Sequence, residues 1–180
     1  MNKLILFAIV LISQSIAAQK YFTRTGTTKF KASVEAFEPV KAVNKSTTAI
    51  LVLDSGDIAS QLFVSAFKFK VALMQEHFNE NYMDSDKYPK ATFRGKLQDF
   101  NINDLNDEKE YTLKGTLTIR GIKKEIETKA KIKMTDGKIS LASSFFVKPQ
   151  DFEIKIPNIV RKKIAESINI TLNYELVEKK

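Results

Sequence analysis

ALMQEHFNENYMDSDKYPKATFRGKL, from Ala72 to Leu97, decides how the rest of the chain is read. Met74, Phe78 and Tyr82 recur four apart with Leu73 beside them, which predicts one apolar stripe on a helix of two to three turns. Asp84-Ser85-Asp86 ends that pattern, and Pro89 forbids its continuation because it lacks an N–H and clashes with the preceding turn. From Ala91 the period falls to two. Ala91, Phe93, Gly95 and Leu97 share one face, and Thr92, Arg94 and Lys96 share the other. An isolated amphipathic helix followed by a half-buried strand predicts a lid over a sheet that closes on itself.

The segments around it alternate in the same way. Tyr111, Leu113, Gly115, Leu117 and Ile119 oppose Thr112, Lys114, Thr116 and Thr118. After Gly121, Ile122, Ile126, Thr128, Ala130, Ile132 and Met134 form a second face, interrupted only by Lys124. Asp136-Gly137 is a two-residue hairpin signal. Ile168 to Leu176 supplies the last alternating face, and weaker strands are predicted around Thr28–Ala36, Thr47–Asp54 and Ile58–Phe69. A second short helix is predicted from Asn158 to Ile164, with Ile159, Val160 and Ile164 on one side.

The sum is a mainly β chain of about eight strands with one or two short helices; a sheet that long curls into a barrel or folds into a sandwich, and the long strands favour a single antiparallel eight-stranded barrel. Strands with one apolar and one polar face are wet on one side only. Gly95, Gly115, Ala130 and Ser143 are small residues on the inward faces. They either leave room for a slim ligand, which an eight-stranded barrel is just wide enough to hold, or relieve crowding at bends.

Residues 1–18 read as a signal peptide. Lys3 gives a positive start, Leu4 to Ile12 an apolar run too short to span a bilayer, and Ala17-Ala18 a small-residue cleavage site. The expected destination is the periplasm or the exterior. Residues 19–180 then form one domain, long enough to bury about 70% of its unfolded surface without staples.

The chain has no cysteine and a single histidine, His77. Disulfides, zinc–thiolate sites, iron–sulfur clusters and cysteine nucleophiles are excluded, and so are triads or metal sites needing several histidines. His77 with Glu80 would supply only two metal ligands. No glycine-rich phosphate loop occurs, and the acidic stretches Asp84–Asp86 and Asp104–Glu110 read as solvated turns. No cofactor, metal site or catalytic residue is expected. Asn44-Lys45-Ser46 and Asn169-Ile170-Thr171 match a glycosylation sequon that matters only in a eukaryotic secretory pathway. Setting Lys3 aside leaves 28 basic against 21 acidic residues, a net charge of +7. For an exported protein this points away from nucleic acid. It is compatible with an anionic membrane surface or with a plain solvated lysine-rich exterior. A homodimer is equally compatible with the sequence.

Three motifs carry a resemblance. Met74, His77 and Tyr82, then Asp84 or Asp86 before Tyr88-Pro89 and Ala91-Thr92-Phe93, resemble the signature of the YceI-like family. Gly115 to Lys124 (GTLTIRGIKK) is similar to its hairpin motif, and Phe145 to Ile154 (FFVKPQDFEI) to its third conserved segment. Lys148-Pro149 and Asn79–Tyr82 depart from the usual pattern. The resemblance implies an extended antiparallel, lipocalin-like barrel around a long apolar tunnel, export to the periplasm, and binding of polyisoprenoid or other long-chain lipids without catalysis. The expected wall residues are Phe67, Phe69, Leu73, Met74, Phe78, Phe93, Tyr111, Leu117 and Phe145. His77, Asn81 and Tyr82 are expected at the mouth, beside a polar head. The competing expectation is a non-enzymatic envelope or stress protein whose barrel is filled by its own side chains.

Overall fold

Strict alternation from Tyr111 to Ile119 and from Ile122 to Met134 gives each segment one face for water and one for a core, so the two pair as a hairpin. In the computed structural model, which describes residues 19–34 and 39–179, this hairpin is the centre of a meander. The strands are β1 (Lys20–Ser33), β2 (Lys41–Val52), β3 (Asp57–Phe63), β4 (Lys68–Phe69), β5 (Lys90–Leu97), β6 (Lys109–Ile119), β7 (Ile122–Thr135), β8 (Lys138–Val147) and β9 (Ile164–Glu178). All neighbours are antiparallel, and β1 pairs with both β2 and β9. Eight strands therefore close into the expected barrel, with the two-residue β4 as an addition on β2. Asp136 and Gly137 both have positive φ, as do Arg120 and Gly121, giving the two-residue turns whose twist matches the strands they join. The predicted signal peptide lies outside the described residues.

The first helix, α1 (Ala72–His77), runs on into a wider π-type turn at Phe78–Met83 that ends on Asp84 in the left-handed region. The second, α2, covers only Asn158–Arg161. Its Ile159 is 88% exposed, whereas Val160 turns inward, so the apolar side predicted for that segment is split.

The barrel interior has two halves. At the end bearing the β7–β8 turn, Leu51, Leu97, Ile132, Ile139, Leu141 and Leu176 are fully buried and fill the lumen. Each contributes about 1.5–3 kcal/mol by its removal from water. Midway along the barrel stand two glycine-and-ring contacts. Gly95 and Gly115 are direct partners across β5 and β6, and the Phe93 ring lies over both. A Cβ on Gly95 would meet Phe93 Cζ at 2.5 Å and the Lys114 carbonyl oxygen at 2.4 Å. Gly26 on β1 gives way in the same manner to the ring of Tyr174 from β9, 2.6 Å from where its Cβ would be. The room left by Gly95 and Gly115 is thus taken by Phe93 rather than left for a ligand.

Two irregularities shape the other half. Register shifts in β1 fall between Thr23 and Thr28, and β2 opposite skips Lys45 and Ser46. The extra residues let Asn44 and Thr47 both face inward, against simple alternation. Asn44 is wholly buried and stitches the site together. Its amide donates to the Phe63 carbonyl at 3.0 Å, and its oxygen accepts from the Ser46 N–H at 2.8 Å and the Ser46 hydroxyl at 2.9 Å. With that nitrogen occupied, the first sequon presents no free amide. The amide of Asn169 in the second donates to the Ser144 hydroxyl at 3.1 Å.

The seam between β7 and β8 pairs only from Ala130–Thr135 to Lys138–Ser143. Beyond it the strands diverge, and the link is the Thr128 hydroxyl donating to the Ser144 carbonyl at 3.2 Å. The chain after β8 covers this opening. A 3-10 turn at Pro149–Phe152 buries Pro149 and Phe152, and the Arg120 guanidinium donates to the Glu153 carbonyl at 2.7 Å.

Two outcomes are expected. Gly95→Ala inserts a methyl group against backbone and a packed ring, and should lower the unfolding free energy by about 3 kcal/mol, read from urea midpoints at unchanged m. Tyr174 is 4% exposed, and burial pushes its phenol above the usual tyrosine value, opposed by hydrogen bonding to Thr28 and Ser60. The folded state therefore keeps this proton after the unfolded chain has lost it. Its contribution is complete below about pH 10 and falls by up to about 1.4 kcal/mol per pH unit above that. Alkaline unfolding of Tyr174→Phe should be less steep than that of the parent over this range.

Candidate functional site

Above the two rings the lumen is not filled by side chains. A cavity of about 420 Å³ occupies this half of the barrel. Its wall follows from the inward faces of the strands: Leu62 on β3 and Val64 just after it, Leu117 and Ile119 on β6, Ile126 on β7, Phe145 and Val147 on β8, Ile168 and Leu172 on β9. Phe152, Ile154 and Ile156, from the segment that covers the β7–β8 opening, complete that side. The inward residues one step deeper belong to the packed core, so the cavity is blind. The long tunnel that the resemblance implied is here a pocket ending at mid-barrel.

The floor is made by Phe93 and Tyr174 with Leu113, Thr28, Thr47 and Ser60. It carries a small group of hydroxyls. Thr28 and Thr47 share a hydrogen bond of 2.8 Å between their Oγ1 atoms, and the Tyr174 hydroxyl lies 3.4 Å from Thr28 Oγ1. Thr28, Thr47 and Tyr174 come from β1, β2 and β9, and all three are buried.

The lid is held by an aromatic cluster. Phe78, in the turn following α1, stacks on Phe30 at 5.3 Å between ring centroids. It also meets Phe67 at 5.7 Å and Phe69 at 5.1 Å. Edge-to-face and offset contacts of this kind add about 0.5–1.5 kcal/mol each beyond area burial. They explain how a two-turn helix with no side-chain cap at its start stays on the barrel. Met74, His77 and Tyr82 face the cavity from the same lid, and Val160, Lys163 and Ile164 approach it from α2 and the start of β9. Lys163 and His77 are the titratable nitrogens of this lining, and both are exposed at the rim.

Nine of the residues expected to form the wall or mouth are brought together here: Phe67, Phe69, Met74, His77, Phe78, Tyr82, Phe93, Leu117 and Phe145. Two are elsewhere. Leu73 is 57% exposed on the outer side of α1, because its direction differs by about 100° from that of its neighbour Met74. Tyr111 faces inward at the wrong height. It is packed in the filled half, beside Phe100 at 5.3 Å, and its hydroxyl donates to the Asn101 carbonyl. Asn81, expected at the mouth, is exposed and does not line the cavity. Sequence reading missed the floor. Tyr174 lay on an apolar face already identified, and its hydroxyl was the available signal. Thr28 and Thr47 carried none, since threonine is common on both faces of strands. Among the described residues no three His, Asp or Glu side chains gather as a metal ion would need, and no helix is long and apolar enough to cross a membrane.

Comparison with solved structures finds the same barrel in proteins of low identity. BcnA of Burkholderia cenocepacia aligns with a TM-score of 0.70 at 15% identity, over 84% of this chain and 96% of its own. A polyisoprenoid binding domain from Saccharophagus degradans, implicated in plant cell wall breakdown, aligns at 0.75 and 10% identity, over 89% and 98%. The YceI protein of Campylobacter jejuni aligns at 0.64 and 21% identity, over 80% and 87%. Comparison with curated proteins gave no match. The sequence of the YceI-like domain matches residues 14–176, nearly the whole chain, including all three motifs and every cavity-lining residue. The chain belongs to the YceI-like family.

Proposed function

We propose that this is an exported binding protein that holds a long-chain apolar lipid, polyisoprenoid-like in character, in the open half of its barrel, as a carrier or scavenger and without catalysing a reaction. The observation that carries this reading is the cavity itself: about 420 Å³ walled by aliphatic and aromatic side chains, with a few polar groups at its two ends. Apolar surface that leaves water for such a wall gains about 25 cal/mol per Å², against which stands the ordering of a flexible chain. A barrel filled by its own side chains describes only the lower half of this molecule. The Saccharophagus domain, named for polyisoprenoid binding, has the same fold and so agrees with this use of the lumen. Export is supported by the positive start, apolar run and small-residue site within residues 1–18.

A carrier must load and unload, and the mouth suits an anionic lipid surface. Ile159 on α2 and Leu73 on α1 are the exposed large apolar residues of the two rim helices. Arg161, Lys162 and Lys163 adjoin the first of them. Each basic residue held near an anionic membrane contributes about 1 kcal/mol.

Organic extraction of purified protein followed by mass spectrometry should recover a lipid, and the delipidated protein should take it back. Protein that co-purifies empty and ignores lipid after delipidation would overturn the reading. Leu117→Trp should remove lipid uptake while changing stability by less than about 1 kcal/mol, because the indole enters empty space; in a packed core it would cost about 1–3 kcal/mol. In co-sedimentation, vesicles containing phosphatidylglycerol should bind the protein and pure phosphatidylcholine vesicles should not. Lys162→Gln with Lys163→Gln should weaken that binding roughly thirtyfold, the equivalent of about 2 kcal/mol.

A further inference from the structure

The floor of the cavity has a chemistry that an all-hydrocarbon ligand would not use. Thr28, Thr47 and Tyr174 are between 1% and 5% exposed, and half-buried Ser60 lines the cavity beside them. Four hydroxyls from four strands therefore meet at the blind end of an otherwise apolar pocket. Each offers one donor and at least one acceptor position, and the two bonds among Thr28, Thr47 and Tyr174 leave one O–H donor and further acceptor capacity unspent. Hydroxyls facing hydrocarbon without a further partner are unfavourable, and replacing them by valine and phenylalanine would keep the same shape. Gly26 gives up its side chain so that the Tyr174 ring can lie where it delivers its oxygen to this group.

The floor is also neutral. No Lys, Arg, His, Asp or Glu lies among the floor residues, and the basic side chains of the lining, His77 and Lys163, are at the opposite end. Burial that pushes the Tyr174 phenol up shows the same hostility to negative charge. The packed half beneath closes the inner end, so a chain longer than the open half leaves through the mouth.

Building on the binding function proposed above, we infer that the Thr28–Thr47–Ser60–Tyr174 group is a receptor for a neutral oxygen, hydroxyl or carbonyl, at the inner end of the ligand. The preferred ligands are fatty or terpenoid alcohols, aldehydes and ketones, bound oxygen-inward. A fatty carboxylate enters the other way round, with its charge at the mouth beside Lys163.

Displacement of a bound fluorescent naphthylamine from the delipidated full-length protein tests this with dodecane, dodecan-1-ol and dodecanoate. Thr47→Val and Tyr174→Phe should each weaken dodecan-1-ol about fivefold to tenfold while leaving dodecane and dodecanoate within about twofold. Lys163→Met should weaken dodecanoate alone. Equal effects of the floor substitutions on the alcohol and the alkane, or none on the alcohol, would overturn the inference even with every compound bound. Failure of all three compounds and the probe to bind any variant or the parent would instead remove the binding function, and this assignment with it. Thr47→Val is isosteric, so its result stands should Tyr174→Phe alter the fold.

Discussion

Where Gly95 faces Gly115 under the Phe93 ring, the two backbones come so near that no side chain larger than hydrogen fits on either. The rest of the interior follows from this contact. The Phe93 ring lies over both glycines, on β5 and β6, and the Tyr174 ring lies over Gly26 on β1 in the same way. Together the rings cap the packed leucines and isoleucines at one end and bound the empty volume at the other. The small residues make the cavity possible indirectly: they seat the plug that ends it.

The open half then needs support that a filled core would have supplied. It has three supports, and each compensates a place where the ladder of strands lapses. Asn44, at the irregularity in the β1–β2 pairing, ties β2 to the end of β3, where a 3-10 turn at Val64–Ala66 separates β3 from β4. The Phe30, Phe67, Phe69 and Phe78 cluster fixes the lid to the barrel. The Pro149–Phe152 turn fills the seam that β7 and β8 leave unpaired. The outward residues on the free stretch of β7, Lys123, Glu125, Glu127 and Lys129, are charged, which blunts that edge against pairing with another chain.

Much of this was legible in the residues. Period-two patterns carried β5 to β9, and the Met74, Phe78, Tyr82 stripe carried the lid, because one face of each meets a continuous apolar surface. What the pattern could not carry was height. Alternation tells which face Tyr111 and Leu117 share, but only the register of their neighbours places the first in the packed half and the second beside the void. Parity also failed where bulges intervene. Asn44 and Thr47 are an odd number apart, and the skipped residues between them put both inside. Leu73 and Ile159 were taken for inward residues because they are apolar, whereas one- and two-turn helices present so few positions that adjacent residues face opposite ways.

The division of the barrel at mid-height has a mechanical consequence. The lower half, with every strand paired and its lumen solid, holds most of the interactions that resist global unfolding. The upper half rests on a lid, a covering turn and one buried amide. A molecule built this way can breathe at one end while staying folded at the other. Exchange of contents is then an event of local opening, whose free energy is set by four phenylalanines and a turn instead of by the stability of the whole chain.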